Sequence, residues 1–317
     1  MRFIKELKGG SLSRTVVMSS DQSKWVRKYI SIEQNREYGL VRWQSQLRKL
    51  QILRARFPEH VLPVLGAGVE KDFYYFDIPY VANCQNLYEA VLSSESFEEI
   101  AKHLAHIIKM MADCPLEAAS GSLSIYFHEE LKRPLQNAQK VLDTAPTFLS
   151  PEECIYFKSR FHNVLPKLDD IICSYQDHIV AESLTHGNFT LENAIWDYDN
   201  NKILMIDFYA ETYCESILGD ISQIFQSSRS GYEAVSEHFG TSGLSITQYP
   251  HERIPKKLID FSQYFESLMS EENWYDSDLV NLFLASQFTR MFPFKLVNNP
   301  RGGFLFINHA LDLLGTR

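Results

Sequence analysis

The chain has 317 residues, 45% hydrophobic and 22% charged, an ordinary globular composition with room for one large domain or two lobes. Its formal net charge of −9 argues against a nucleic-acid or anionic-membrane surface as the main partner and leaves a cationic or neutral substrate open. The five cysteines, Cys84, Cys114, Cys154, Cys173 and Cys214, are odd in number and form no C-x-x-C pair. They predict reduced thiols in a cytoplasmic protein rather than a disulfide framework or a zinc site. The opening MRFIKELKGG has no apolar run after its basic residues, so no secretory leader is expected. No apolar stretch approaches the ~20 residues that span a bilayer.

Residues 1 to 30 predict strands around a glycine turn. Gly9-Gly10-Ser11 precedes the β-branched run Thr15-Val16-Val17-Met18, and Ser19 to Ser23 is a turn cluster. Lys24 to Ile30 alternates, with Trp25, Arg27 and Tyr29 on one face and Val26, Lys28 and Ile30 on the other. A glycine turn between strands lets backbone N–H groups approach a phosphate chain, and a plain hairpin shares the same pattern. Ser31 to Arg56 predicts one long helix, from apolar Leu40, Val41, Leu47, Leu50, Ile52 and Leu53. Phe57-Pro58 ends it. Val61 to Val69 and Phe73 to Val81 predict two strands around the turn Glu70-Lys71-Asp72. Pro79 cannot donate to a ladder, so the second strand frays there. A lobe boundary is set near residue 82, giving lobes 1–82 and 83–317.

From Leu87 onward the pattern is mainly helical. Phe97 to Ala112 is amphipathic through Ile100, Leu104, Ile107, Ile108 and Met111. His103 and His106 sit three apart on it but lack a third ligand nearby, so they read as a helix-surface pair. Further helices are expected at 126–143, interrupted by Pro134, at 151–176, 252–271 and 275–290. Asp197 to Asn201 looks like the opening of a calcium loop, but Lys202 stands where the loop glycine belongs, and the stretch reads as a hairpin turn. Arg290, Lys295 and Arg301 lie among Phe292, Phe294, Phe304 and Phe306, either as a packed helix pair or as an anion or sugar site. Trp274, Tyr275 and Asp276 raise the alternative of a cation cage.

The most informative stretch is THGNFTLENAIWDYDNNKILMIDF, Thr185 to Phe208. It resembles the catalytic segment of the protein-kinase-like fold in its small-molecule branch, the aminoglycoside phosphotransferases and choline kinases. That family reads H-G-D-x-x-x-x-N, a hairpin, then an apolar strand ending in I-D-F or I-D-W. The resemblance covers residues about 5 to 85 and 180 to 225. It implies an α+β, two-lobed architecture: a small N-terminal lobe with an antiparallel sheet and one long helix, then a larger, mainly helical lobe carrying the catalytic loop and acceptor-binding helices.

The resemblance also implies roles. Gly10 and Ser11 belong to the loop covering the phosphates. Lys28 pairs with phosphate oxygens, with Lys24 or Arg27 as candidates if the register shifts by one. Glu37 clamps that lysine, with Glu33 as its rival. Ile78 faces the nucleotide base, and the backbone of Pro79 to Val81 meets its edge. His186 and Asn188 stand in the catalytic loop. Asn193 and Asp207 offer hard oxygen donors of the kind Mg²⁺ prefers, beside the phosphates of ATP or GTP. Asp220 ties its helix to the catalytic loop, although the Gly-Asp-Pro form that precedes it in the family is missing. Residues 115 to 180 help shape an acceptor site.

One departure matters most: Asn188 occupies the place of the family's catalytic Asp. An amide orients a hydroxyl but cannot take its proton. Phosphoryl transfer passes a loose transition state in which positioning and metal electrostatics dominate, so losing the base costs about 10²- to 10⁴-fold. Three readings follow. The first is an active kinase acting on a small-molecule hydroxyl of a sugar, amino-alcohol or aminoglycoside, its proton taken by another group. Glu192 and Glu211 are near in sequence, and Glu192 is expected to face away. The second is a pseudokinase that binds nucleotide or a protein partner. The third is a helical protein whose motif is accidental. No nucleic-acid or membrane partner is expected in any of them.

Overall fold

The structure, a computed structural model, describes residues 2–7, 13–32, 36–116, 121–175, 182–209, 212–237 and 245–315, with the backbone alone at 36–38. The chain divides into two compact units. The first comprises Met1–Ala90, His186–Asn188 and Glu192–Glu211, and the second Val91–Thr185, Phe189–Leu191 and Thr212–Arg317.

In the first unit, β1 (Arg2–Leu7), β2 (Ser13–Ser19) and β3 (Lys24–Ser31) precede helix α1 (Arg36–Arg56), and β4 (Gly66–Glu70) and β5 (Phe73–Pro79) follow it. The five strands form one antiparallel sheet in the order β1-β2-β3-β5-β4. Ser20 closes the β2–β3 turn by accepting the Ser23 N–H on its Oγ at 3.2 Å, a local bond that favours serine in turns. The alternation expected of β3 holds. Val26 and Lys28 pair with Ile78 and Phe76, while Arg27 is buried from the other face with its Nε 2.7 Å from Asp77. The strand expected from Val61 begins only at Gly66. Pro63 has no N–H for a ladder, and Val61 makes an isolated parallel bridge to Met205 instead. The next strand stops at Pro79 for the same reason.

Helix α1 begins at Arg36 rather than Ser31, because Ser31 is the last residue of β3 and pairs with Phe73. The helix crosses that strand end at Gly39, where an added Cβ would lie 2.7 Å from the Ser31 carbonyl oxygen. Trp43 docks it on the sheet by donating its indole N–H to the Tyr75 carbonyl at 3.1 Å. Its apolar stripe is not the expected one. Val41 and Ile52 are 52% and 42% exposed, whereas Gln46 and Lys49 are buried beside Leu50 and Leu53. A second, three-stranded antiparallel sheet joins β6 (Cys84–Asn86), β7 (Ala194–Asp197) and β8 (Lys202–Met205). The β7–β8 turn confirms the hairpin reading. Asp197 accepts the N–H groups of Asp199 and Asn200, and Asn201 takes a left-handed φ of 49°.

The second unit is helical. It runs from the last residues of α2 (Leu87–Ser93) through α3 (Phe97–Ala112), α4 (Ser122–Phe127), α5 (Arg133–Asp143) and α6 (Pro151–Ser174). It continues with α7 (Ile217–Ser228), α8 (Tyr232–Glu237), α9 (Lys256–Met269), α10 (Ser277–Thr289), α11 (Phe292–Asn298) and α12 (Pro300–Gly315). The stripe predicted for α3 is buried as expected. Pro134 disturbs its helix from the residue before: His128–Lys132 widens into a π turn between α4 and α5. Pro134 has no N–H for the Glu130 carbonyl, which accepts the Thr289 hydroxyl at 2.5 Å instead. Ser150 and Glu153 form a capping box at the start of α6. Glu153 also pairs with Arg301 of α12 at 2.8 Å.

Most of the C-terminal cations and aromatics pack as a helix pair, while Phe294 is 67% exposed. Phe292, Phe304 and Phe306 are buried, Arg301 is tied to Glu153, and Lys295 lies over the rings of Tyr232 and Phe306. Of residues 274–276, Tyr275 donates to Glu266 at 3.0 Å and Asp276 caps α10. All five cysteines are free thiols. No helix among the described residues is long and apolar enough to cross a membrane.

Candidate active site

The site builds up from the loop His186–Asn188. His186 is fully buried, its ring 4.6 Å from that of Phe208. Burial, then the nearby charge of Lys49, lowers its pKa to about 3, so the imidazole is neutral. It anchors the loop by accepting the Asn188 N–H on Nδ1 at 3.3 Å. Gly187 has φ +78°, and a Cβ there would collide with the Tyr209 carbonyl oxygen. Only glycine fits such an approach without strain. Tyr209 in turn donates to the His186 carbonyl at 3.1 Å. The loop is thus clamped onto the segment that carries Asp207.

The two proposed metal residues meet here. Asn193 ends a short 3₁₀ turn, Leu191–Asn193, and its Nδ2 donates to the Asn188 carbonyl at 2.7 Å. Its backbone carbonyl accepts from Ile206 at 3.0 Å. Asp207 follows β8 in a left-handed conformation, φ 62°, rare for a residue other than glycine. Its carboxylate forms an ion pair with Lys28 Nζ. Burial alone would raise the Asp207 pKa, but Lys28, then Arg42 and His186, hold it below the ordinary carboxylate value. The Asp207 side chain remains 29% exposed.

Lys28, Asn193 and Asp207 line one cavity of about 490 Å³, within the range of small-molecule sites. Ile78, Pro79 and Val81 line it as well, together with apolar Val26, Ile195 and Met205. Of the register alternatives to Lys28, Arg27 is committed to Asp77 on the opposite face and Lys24 is exposed. Asn188 is half-buried and is not part of the cavity lining; its Nδ2 lies 3.4 Å from the Asp207 carbonyl. Glu192 was expected to face away. It lines the cavity instead, because the 3₁₀ turn buries Leu191 and brings Glu192 and Asn193 round to the same wall. Gly10, Ser11, Glu33 and Glu211, and the side chain of Glu37, lie outside the described residues.

Two features were missed in the sequence. The first is the polar face of α1, with Arg42, Gln46 and Lys49 spaced three and four apart. Arg42's charge reaches Asp207, and the Lys49 ammonium lies 3.2 Å from where a Gly187 Cβ would stand. That spacing was available, but only apolar periodicity was sought. The second lies in the second unit. Gln223 Oε1 accepts the Phe189 N–H, and Ser227 Oγ accepts the Leu191 N–H at 3.0 Å. Ser227 donates its own hydroxyl to Glu233 Oε1 at 2.7 Å. Asp220 lies buried on the same helix, α7.

By sequence, no family profile and no curated protein matches the chain. By structure, it is similar to a candidate fructosamine-3-kinase of Haemophilus somnus 129PT, with TM-score 0.58 at 11% identity over 98% of this chain and 90% of that one. It is also similar to the aminoglycoside phosphotransferase APH(4)-Ia, with TM-score 0.57 at 11% identity over 99% and 92%. A glucosamine kinase matches with TM-score 0.57 at 10% identity over 99% and 94%. The fold is therefore the two-lobed α+β protein-kinase-like fold that these small-molecule kinases share.

Proposed function

We propose that the chain is a small-molecule kinase that binds ATP or GTP with Mg²⁺ and transfers the γ-phosphoryl group to an acceptor hydroxyl. The acceptor class is a sugar, amino-alcohol or aminoglycoside-like compound. The observation carrying this reading is the meeting of Lys28, Asn193 and Asp207 on one cavity that Ile78, Pro79 and Val81 also line. The donor set fits Mg²⁺. Asn193 Nδ2 is engaged by the Asn188 carbonyl, which leaves the amide oxygen as donor, and Asp207 supplies a carboxylate. Phosphates and water complete such a shell. Bound there, the ion would neutralise charge on the transferring phosphoryl group.

The protein's own residues divide the remaining work. Lys28 would pair phosphate oxygens. Asn188 would orient the acceptor hydroxyl without taking its proton, and Glu192, a carboxylate of the cavity wall, is the candidate to accept it. The partners are then the nucleotide and the acceptor, in a reducing compartment compatible with five free thiols. A second reading rests on Asn188 itself: a pseudokinase that binds nucleotide or a protein partner without transfer. Titration calorimetry with ATP and GTP, with and without Mg²⁺, tests the shared premise. Radiolabelled ATP with a panel of acceptors then separates the two. Transfer to any acceptor, raised strongly by Asn188→Asp, supports the kinase. Binding without transfer or basal hydrolysis, unchanged by that reversion, supports the pseudokinase. Binding that is absent, or that survives Asp207→Ala intact, removes the site.

A further inference from the structure

Asn193 can serve a metal ion only through its amide oxygen, so whatever fixes the direction of that amide matters as much as the residue itself. Its Nδ2 donates to the Asn188 carbonyl at 2.7 Å. That carbonyl and the Phe189 N–H belong to one planar peptide group. The Phe189 N–H is held in turn by Gln223 Oε1 of α7. The same plane is therefore gripped at both edges. Were it to turn over, an N–H would face Asn193 and claim the amide oxygen instead. The direction of Gln223 is itself set from outside the loop. Ser286 and Ser222 spend their hydroxyl protons on the Phe283 and Gly219 carbonyls, both at 2.6 Å. A carbonyl only accepts, so these two bonds run one way. Tyr126, 2.9 Å from Ser286 Oγ, must then donate to it. Burial pushes the Tyr126 hydroxyl up to about 12, so the proton it donates is present. The Tyr126 and Ser222 oxygens are left to accept from Gln287 Nε2, at 3.2 and 3.4 Å. Gln287 thereby turns its Oε1 toward Gln223 Nε2, at 3.3 Å, and Gln223 turns its own Oε1 toward Phe189. Every residue in the series from Tyr126 to Gln223 is at most 4% exposed, where an amide facing the wrong way would leave buried groups unsatisfied.

We propose that Gln223 and Gln287 are positioning residues for Asn193: a one-way relay of hydrogen bonds holds the Asn188–Phe189 peptide so that the Asn193 amide offers its oxygen to the metal ion. Neither glutamine lines the cavity, so neither touches the nucleotide. Their effect reaches the site through one peptide group. This inference rests on the nucleotide and Mg²⁺ reading of the cavity.

The test is titration calorimetry of the full chain with ATP and GTP, in EDTA and in excess Mg²⁺. The wild type should bind at least about tenfold tighter with Mg²⁺. Gln223→Met keeps the length of the side chain and removes both of its polar ends. It should cut that gain to about threefold or less and leave the metal-free dissociation constant within about twofold of the wild type. Gln287→Met, one link further back, should cut the gain by a smaller factor, and it supplies the test if melting curves show Gln223→Met unfolded. A merely structural role would weaken binding equally in both buffers or lower the melting temperature alone, and either result overturns the inference. So does a wild type that binds nucleotide with no gain from Mg²⁺, which leaves the nucleotide site standing. A wild type that binds nothing in either buffer overturns the nucleotide reading as well.

Discussion

Helices α12 and α1 both bury a face, and the two faces are opposite in chemistry. α12 buries Phe304, Leu305, Phe306, Ile307, Ala310 and Leu311 against aromatic neighbours such as Phe157 and Phe292. Every such residue gains from leaving water, at roughly 25 cal/mol per Å² of apolar surface. α1 buries Gln46 and Lys49 in the unit that holds the cavity. An ammonium taken from water gains nothing unless its partners return the hydration it lost. The first helix is therefore explained by apolar burial, whereas the second must hold its buried polar groups through contacts of their own.

The contrast is broken most severely at Phe304. Its ring is fully buried, edge-on to Phe157 and Phe292 at 5.1 and 5.3 Å. Phe304→Ala should cost about 3–5 kcal/mol in urea unfolding. Gly187→Ala comes next. It forces a Cβ into the Tyr209 carbonyl at positive φ and should cost about 1–3 kcal/mol, with nucleotide binding lost to calorimetry even in the folded fraction.

Two buried histidines sharpen the comparison through pH. Burial, then the charge of His251, lowers His309 to about 3, and burial, then Lys49, does the same for His186. The unfolded chain protonates these rings below about 6.5, and the folded one does not until about 3. Stability is full above the upper value and falls as pH drops through the window, by about 1.4 kcal/mol per pH unit for each histidine. His309→Gln should flatten part of that slope in melting curves recorded across it. The charged helix is tested by Lys49→Met, which takes a buried ammonium away from its partners and should lower unfolding free energy by about 1–3 kcal/mol. A variant as stable as the wild type would mean that α1 is held by apolar burial after all, and would erase the contrast.

The sequence made the sheet and the catalytic segment legible for a physical reason. Strand alternation at Val26 and Lys28, the break at Pro79, and the Asp197 turn are local events that backbone geometry enforces. The face of α1 was not legible, because periodicity assumes that buried means apolar. Val41 and Ile52 were placed inside and are exposed, while Lys49 was passed over and is buried. Glu192 was misjudged for a related reason, since its direction depends on one 3₁₀ turn. The Gln223 and Ser227 bonds to the backbone of 189–191 join residues more than thirty positions apart, and no pattern in one chain announces them.

Glu153 carries a consequence for how the chain folds. Its carboxylate accepts the Ser150 N–H at 2.8 Å, a bond that α6 can make alone within its first turn. The same carboxylate accepts two bonds from Arg301, at 3.0 and 2.8 Å, across a separation of 148 residues. The local half can form early, whereas the distant half must wait for a loop of that length to close. The start of α6 is therefore finished only when the last helix arrives, and a chain that stopped short of α12 would fray at a point far upstream of the cut.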